Sequence, residues 1–326
     1  MKKYKIVDLF AGIGGIRLGF EKAFGKNNIE SVFSSEWDKY AQVTYEANFN
    51  EKPSGDITEV EPEDIPDHDI LLAGFPCQSF SQAGLKKGFK DTRGTLFFNI
   101  EKILSIKKPK AFLLENVKQL KGHDKGRTLS IIKERLSAIG YSNYYIDVLS
   151  ARDFRLPQNR ERIFIVGFLD EGILFDFPKP YNNKTCVGDV FQNEVDSKYT
   201  ISDTLWAGHK RRKEEHQKKG NGFGYGLFDR NSEYTNTLSA RYYKDGSEIL
   251  IAQENKNPRK LTPRECARLQ GFPDSFKIPV SDTQAYKQFG NSVAVNVIVA
   301  IAKEMKNSLS GTKRKQQLEL FALANN

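Results

Sequence analysis

Six short apolar runs, separated by stretches with the periodicity of amphipathic helices, dominate the first half of the chain. Runs of this length predict buried β-strands, and their alternation with helices predicts βαβ units in a largely parallel sheet. The runs span residues 5–10, 31–35, 70–73, 111–114, 145–149 and 163–167. Because open sheets of this kind bind ligands beyond the carboxyl ends of their strands, we expect the functional residues to follow the runs directly.

The pattern changes after the last of these runs. Residues 178–260 are rich in Lys, Gly, Asn and Tyr and have weak periodicity, which predicts a smaller second domain of short strands and loops. Helical periodicity returns with Thr262 as N-cap and Pro263 at the first helical position, and a last apolar helix is expected over residues 293–305. We therefore predict a first domain over residues 1–188, completed by 280–304, a second domain over 189–279 and a polar tail over 305–326.

Composition indicates which kinds of partner the protein is expected to bind. The 326 residues carry a formal net charge of +9, which favours a polyanionic partner without requiring one. The three cysteines and four histidines are scattered without zinc-ligand spacing, so no metal site is predicted. No apolar run approaches the roughly 20 residues of a membrane span, and the N-terminus lacks a signal-peptide pattern, so we expect a cytoplasmic protein with no membrane partner.

A glycine-rich turn follows the first predicted strand. The sequence DLFAGIGG, residues 8–15, opens a helix, and its glycines allow tight turning and close approach to a ligand. The spacing is neither that of the dinucleotide fingerprint nor that of a P-loop, and an ordinary βα turn is the alternative. Glu36 and Trp37 end the second strand, where a carboxylate suits a ribose diol and an indole suits an adenine ring. Asp56 is expected at a further strand end, outside these six runs, where it could accept a hydrogen bond from an adenine amino group.

A lone cysteine follows the third predicted strand, in the sequence GFPCQSFSQAG of residues 74–84. Taken alone, Cys77 is a small buried residue more readily than a nucleophile. Glu115 follows the fourth predicted strand, and neighbouring parallel strands would bring both side chains to one edge of the sheet. A thiolate beside a carboxylic acid suits attack on a ring that the acid polarises at the same moment.

Eight motifs, in this order, resemble those of the DNA (cytosine-5)-methyltransferases, in particular the short bacterial type of restriction–modification systems. They are DLFAGIGG, SSEW, GDI, GFPCQSFS, ENV, QNRER, RECARLQGFPDSF and QAYKQFGNSVAVNV, and they cover most of residues 4–177 and 261–304. The resemblance implies the doubly wound, mostly parallel α/β fold of S-adenosylmethionine-dependent methyltransferases. Residues 1–188 with 280–304 would then be the catalytic and cofactor-binding domain, and 189–279 the target recognition domain and hinge.

The resemblance also implies a role for each residue at a matching position. Cys77 would add to C6 of cytosine, Glu115 would hold a proton against N3 and Arg162 would bind the base O2. Arg160 would support the cysteine loop. S-adenosylmethionine would be bound by Phe10, Ala11, Gly12, Gly14, Gly15, Glu36, Trp37, Asp56, Ile57, Pro76, Asn291 and Ser292. The substrate would be a cytosine swung out of double-stranded DNA, the enzyme a monomer, and a cognate restriction endonuclease its functional partner.

Contacts to DNA are expected from the segment after Cys77 and from the second domain. The alternating glycines of residues 220–226 suit a loop that enters a groove, or a flexible hairpin. The basic run 209–213 suits phosphate contacts, or a charged helix end. Arg241 is the candidate for guanine readout, because arginine to O6 and N7 is the commonest specific contact. The predicted DNA-binding residues are Arg93, Arg211, Arg212, Gly222, Gly224, Thr237 and Arg241.

The sequence leaves two alternatives open: a tRNA cytosine-5-methyltransferase and a DNA-binding module without catalysis. The related tRNA enzymes usually carry Pro-Pro-Cys-Gln, whereas this chain reads Phe75-Pro76-Cys77-Gln78. The presence of Cys77, Glu115 and Arg162 together argues against a loss of catalysis.

Overall fold

The computed structural model describes residues 3–76 and 96–311 of the chain. The predicted nucleophile Cys77 and the predicted DNA contact Arg93 therefore lie outside the described residues. The main sheet contains β1 (Tyr4–Leu9), β2 (Ile29–Ser35), β3 (Ile70–Gly74), β4 (Ala111–Val117), β5 (Asn143–Ser150) and β6 (Glu161–Phe168). The helices associated with it are α1 (Gly15–Phe24), α2 (Lys39–Phe49), α3 (Leu96–Lys107) and α4 (Arg127–Ala138). All six predicted strands are thus confirmed.

The strand order of the main sheet is β2-β1-β3-β4-β6-β5. The β1–β2, β1–β3 and β3–β4 pairs are parallel, whereas β6 runs antiparallel to both of its neighbours, β4 and β5. The expectation of a largely parallel sheet is confirmed with this one exception. Because β6 is reversed, its first residues lie at the edge where the parallel strands end.

Two apolar layers cover the two faces of this sheet, which makes the fold doubly wound. Helix α1 and the C-terminal helix α8 (Val295–Leu309) bury residues such as Phe20 and Ile298 against one face. Helices α3 and α4 bury residues such as Phe97 and Ile132 against the other. Each fully buried large apolar side chain stabilises the fold by roughly 1.5–3 kcal/mol. At Gly19 of α1, an added Cβ would lie 2.4 Å from the Ile298 side chain, so a glycine there permits the close packing of α1 on α8.

A smaller three-stranded sheet lies in the second region of the chain. It has the order β7 (Leu227–Phe228), β8 (Leu250–Gln253) and β9 (Lys256–Arg259). The expected short strands and loops are accompanied by a helix that the sequence did not predict, α5 (Asp203–Lys218). Periodicity misses this helix because His209 is its one buried residue, so it has no apolar stripe. The basic run 209–213 accordingly lies within a helix and not at its end.

The C-terminal helices mostly follow the sequence. Helix α6 (Pro263–Leu269) begins with the predicted N-cap: the Thr262 hydroxyl accepts from the backbone N–H of Glu265, whose carboxylate accepts from the Thr262 N–H. Helix α7 (Asp282–Asn291) precedes α8. Helix α8 continues to Leu309, past the expected start of the polar tail, because Met305 remains fully buried on its apolar face. Within residues 3–76 and 96–311, no helix is long and apolar enough to span a membrane.

Candidate active site at the carboxyl edge of the sheet

Strand register brings an acid and an arginine together where the parallel strands end. Gly74 of β3 lies opposite Glu115 of β4, and Val117 of β4 lies opposite Arg162 of β6. The Arg162 Nε lies 3.2 Å from the Glu115 Oε1, and both side chains are largely buried. Cys77 is the third residue after Gly74. The register therefore brings the end of β3, from which the Cys77 segment continues, next to Glu115. Beyond that point the meeting of Cys77 with Glu115 stays a prediction.

The environment of Glu115 favours its protonated form. Burial raises the pKa of this carboxyl above its usual value, while the positive charges of Arg162 and Arg160 lower it by less. Glu115 can therefore retain a proton at a higher pH than an exposed glutamate. Such a carboxylic acid can donate a hydrogen bond to a ring nitrogen.

Asn116 is a residue of this site to which the sequence assigned no role. Its buried side chain donates a hydrogen bond from Nδ2 to the carbonyl oxygen of Phe75 at 2.8 Å. The Asn116 Oδ1 accepts from the backbone N–H of Val117, also at 2.8 Å. Asn116 thus fixes the chain two residues before Cys77. Asn116 belongs to the motif ENV, but the motif does not show that its side chain donates to the distant carbonyl group of Phe75.

Arg160 joins three segments that are distant in sequence. Its buried guanidinium donates to the carbonyl oxygens of Leu238 at 2.9 Å and Gly290 at 3.0 Å, and also to that of Ser292. Leu238 belongs to the second region, and Ser292 to the last motif. Arg160 thus holds these segments together by hydrogen bonds. The expected support of the cysteine loop by Arg160 stays a prediction.

Replacing Arg160 by methionine is expected to lower the free energy of unfolding by roughly 3–5 kcal/mol. The substitution leaves two buried carbonyl groups and one partly buried carbonyl group without their donor, and each unsatisfied buried polar group costs roughly 1–3 kcal/mol before relaxation. Arg160→Lys should recover only part of this stability. The lysine ammonium keeps the positive charge, but it cannot reproduce the planar array of N–H donors of the guanidinium. Urea unfolding followed by circular dichroism measures both variants. The exposed Arg211, replaced by methionine, is the control, and an equal loss there would refute the role of Arg160 as a junction.

The glycine-rich turn after β1 is tied to the end of β2 by Glu36. The backbone N–H of Gly12 donates to one carboxylate oxygen of Glu36 at 2.7 Å, and that of Asp38 donates to the other at 2.8 Å. Burial raises the pKa of Glu36, and these two backbone hydrogen bonds act against that rise. A carboxylate has about four lone-pair directions, so acceptor capacity remains for a ligand hydroxyl. Phe10, Gly12 and Gly14 adopt left-handed φ values of 55°, 56° and 80°, which give the turn its shape.

The surroundings of this turn fit an adenine nucleoside group. Trp37 is 72% exposed, so a face of its indole is free to stack on a purine. A Cβ added at Gly12 or Gly55 would meet nothing within 4 Å, which shows open space beside the strand ends. The expected strand end at Asp56 is wrong, because Asp56 instead precedes a single 3₁₀ turn, Ile57–Glu59. Asp56 is exposed and uses one oxygen to cap the N–H of Thr58, while the neighbouring Ile57 is buried. The site thus offers a stacking face, acceptors and room.

The last motif meets the first at this same place. A Cβ added at Gly15 would lie 2.8 Å from the Ser292 hydroxyl oxygen, so Ser292 lies against the start of α1. Asn291 is exposed at the end of α7. Pro76, the last described residue before the gap, is exposed as well. Residues from both ends of the chain therefore converge at the predicted cofactor site.

Two of the predicted DNA contacts, Arg212 and Thr237, already form side-chain hydrogen bonds within the protein. Arg212 donates to His209 Nδ1 at 2.8 Å and to Asp245 at 3.2 Å. The Thr237 hydroxyl donates to the carbonyl oxygen of Asn159, which ties the second region to the turn before β6. Thr237 therefore has a positioning contact that the sequence did not suggest.

The other predicted DNA contacts that the structure describes are exposed. Arg211 lies on α5, where Glu215 is 3.7 Å away, and Arg241 lies on the surface after the segment that Arg160 holds. Gly222 and Gly224 lie in the exposed loop after α5. A Cβ added at Gly224 would lie 2.9 Å from the Lys213 side chain, whereas a Cβ added at Gly222 would meet nothing within 4 Å. These positions remain predicted contacts.

The doubly wound α/β fold, with the Glu115–Arg162 pair at the edge of its sheet, is consistent with the fold of the S-adenosylmethionine-dependent methyltransferases. The sequence pattern of the C-5 cytosine-specific DNA methylases matches residues 4–307. The chain belongs to this family, which confirms the enzyme class predicted from its motifs.

Individual relatives agree over nearly the whole chain. A protein named Type II methyltransferase M.NlaX, from Neisseria lactamica, is 66% identical over 314 residues, which cover 96% of this chain and 99% of the relative. Type II methyltransferase M.HhaI from Haemophilus parahaemolyticus is 42% identical over 321 residues, 94% of this chain and 95% of that protein. A crystal structure of Spodoptera frugiperda DNMT2 has a TM-score of 0.77 at 20% identity, covering 93% of this chain and 99% of that one. This last likeness supports the fold alone.

Proposed function

We propose that the enzyme transfers a methyl group from S-adenosylmethionine to C5 of a cytosine in a short double-stranded DNA site, through a transient bond between Cys77 and C6. The observation that carries the proposal is the buried Glu115, which lies 3.2 Å from Arg162 at the sheet edge that the Cys77 segment follows. Such an acid–arginine pair can bind the polar edge of a cytosine while a thiolate attacks its ring.

The chemistry explains why these groups are needed together. C5 of cytosine is too electron-poor to attack a methyl donor, so the Cys77 thiolate first adds to C6. The proton of Glu115 neutralises the charge that this addition places on N3, and Arg162 stabilises the charge on O2. C5 then carries the electron density that forms the new carbon–carbon bond, while the bond between the methyl group and the donor sulfur breaks and the demethylated thioether is the leaving group. N3 returns its proton to Glu115 as the ring recovers its aromaticity. Loss of the C5 proton expels the Cys77 thiolate and restores the aromatic ring.

The cofactor site supports the same reaction. S-adenosylmethionine, when bound, supplies a methyl group activated by its sulfonium. Trp37 would stack on the adenine, Glu36 would accept from the ribose hydroxyls and Asp56 from the adenine amino group. The remaining predicted binding residues, Phe10, Ala11, Gly12, Gly14, Gly15, Ile57, Pro76, Asn291 and Ser292, would frame the site. Residues 1–188 with 280–304 would then form the catalytic and cofactor-binding unit, and 189–279 the recognition unit.

The substrate must be presented outside the double helix, because stacked neighbours cover C6 in duplex DNA. Extruding a base costs a few kcal/mol, which contacts to the rest of the DNA must supply. The relatives named Type II methyltransferases support a protective role against a cognate restriction endonuclease. We further propose that the protein acts as a monomer in the cytoplasm, where bacterial DNA is found.

Transfer of a tritiated methyl group from S-adenosylmethionine to nucleic acid tests this function. Duplex DNA of mixed sequence is expected to be labelled, with the label at C5 of cytosine, and tRNA is expected to remain unlabelled. Preferential labelling of tRNA would overturn the DNA assignment. Saturable cofactor binding without transfer to either substrate would instead show a binding module that lacks catalysis.

A further inference from the structure

We propose that residues 118–127, here called the 118–127 loop, bind phosphates of the DNA strand that carries the target cytosine. The inference rests on the proposed function and concerns a segment to which the sequence assigned no role. The loop has the sequence KQLKGHDKGR. Three features support it: its position, its unpaired positive charge and its strained backbone.

The first feature is position. The loop begins at the residue after β4, three residues beyond Glu115. The Lys118 Nζ lies 2.8 Å from the Glu161 carboxylate, which adjoins Arg162. Leu120 is fully buried and anchors the loop in the core beneath. The loop is therefore fixed at the same sheet edge as the Glu115–Arg162 pair.

The second feature is charge. The loop carries four lysine and arginine side chains, and two of them form ion pairs within the protein: Lys118 with Glu161, and Arg127 with Asp124 at 3.6 Å. Lys121 and Lys125 are exposed and form no ion pair within residues 3–76 and 96–311. Two positive charges therefore remain available beside the active site.

The third feature is backbone strain. Asp124 and Lys125 are consecutive non-glycine residues in the left-handed region, with φ values of 49° and 56°, followed by Gly126 at 86°. Side chains with a Cβ adopt this region at a cost in free energy. The conformation is held by a 2.7 Å hydrogen bond between His123 Nδ1 and the Thr128 hydroxyl, and by the Ser130 hydroxyl, which donates to the Gly126 carbonyl. Strain retained in this way is characteristic of ligand clamps and catalytic sites.

The occupant follows from the reaction itself. A cytosine held by Glu115 stays attached to its own strand, so the phosphates on either side of it come close to the same sheet edge. Phosphate oxygens accept strong hydrogen bonds from lysine ammonium groups. Backbone phosphates carry no sequence information, which fits contacts made by exposed lysines on the catalytic side of the enzyme. Lys121 and Lys125 would thus help to hold the strand while the base is extruded.

The salt dependence of DNA binding tests this proposal. The logarithm of the association constant falls with the logarithm of the salt concentration, with a slope of about 0.9 per phosphate contact on duplex DNA. The double variant Lys121→Ala with Lys125→Ala is expected to reduce that slope by about 2, since each lysine–phosphate contact contributes about 1, and to weaken binding on every DNA sequence. Fluorescence anisotropy between 50 and 200 mM salt, roughly the range over which such slopes are read, measures both effects.

Matched variants separate the loop from a general loss of charge. Lys133→Ala with Lys303→Ala removes two exposed lysines from helices α4 and α8 and should leave the slope unchanged. Lys125→Arg, which keeps the charge, should bind DNA as the wild type does. A slope unaltered in the loop variant, or reduced equally in the control, would overturn the proposal. Neither result would affect the proposed function, which is tested separately by methyl transfer from the wild type to DNA and to tRNA.

Discussion

Replacing Cys77 by alanine is expected to lower the rate of methyl transfer to duplex DNA by at least about 10⁴-fold, the scale on which enzymes lose activity with their covalent nucleophile. Without a thiolate to add at C6, C5 of cytosine does not become nucleophilic. Binding of DNA and cofactor should persist, because the contacts proposed for both come from other residues. Initial rates with tritiated S-adenosylmethionine and separate binding titrations measure the two effects.

Cys186 provides the matched control for this experiment. It is half-buried, and its thiol donates to the carbonyl oxygen of Arg230, so it has a local structural contact. Cys186→Ala should therefore retain most of the activity. Substantial methyl transfer by Cys77→Ala would refute covalent catalysis, even if the enzyme were shown to methylate DNA.

Replacing Glu115 by glutamine is expected to lower kcat by about 10²- to 10⁴-fold, the usual contribution of a positioned general acid. Glutamine keeps the size and the polar contact but has no acidic proton to give to N3. Because burial raises the pKa of Glu115, the wild type should keep the protonated, active form to higher pH than an ordinary glutamate would allow. The rate of the chemical step should fall as the pH rises through that pKa, and this fall should be absent in Glu115→Gln. Single-turnover rates measured across a pH series test both statements.

Glu161 is the control for Glu115, because it lies one residue from Arg162 but is only half-buried and is paired with Lys118. Glu161→Gln should change the single-turnover rate only a few-fold and leave the pH profile intact. A Glu115→Gln enzyme with the wild-type rate would show that N3 receives its proton from another source.

The sequence predicts the part of the site that depends on strand order. The six apolar runs locate the strands, and the rule that parallel strands end at one edge is enough to bring Glu115 toward the residues that follow Gly74. The same rule relates the glycine-rich turn after β1 to Glu36 at the end of β2. The start of helix α6 was also predicted from the sequence, and the reciprocal hydrogen bonds between Thr262 and Glu265 confirm Thr262 as its N-cap.

What the sequence did not predict depends on long-range contacts or on backbone conformation. The carbonyls bound by Arg160 belong to residues 78 to 132 positions away, and no periodic pattern identifies such partners. Helix α5 was missed because a helix that is polar on nearly every side lacks an apolar stripe. The strain in the 118–127 loop was missed because two of its three left-handed residues, Asp124 and Lys125, are not glycines.

The central claim, that the sulfur of Cys77 bonds to C6 of an extruded cytosine, is tested most directly by trapping that bond. DNA in which 5-fluorocytosine replaces cytosine has no C5 proton to lose, so the enzyme should stall after methyl transfer with Cys77 still attached. Incubation of the wild type with this DNA and S-adenosylmethionine is expected to give a band of protein plus DNA that survives heating in detergent, and Cys77→Ala should give none. Active enzyme that forms no such band, or a band that persists in Cys77→Ala, would contradict the account.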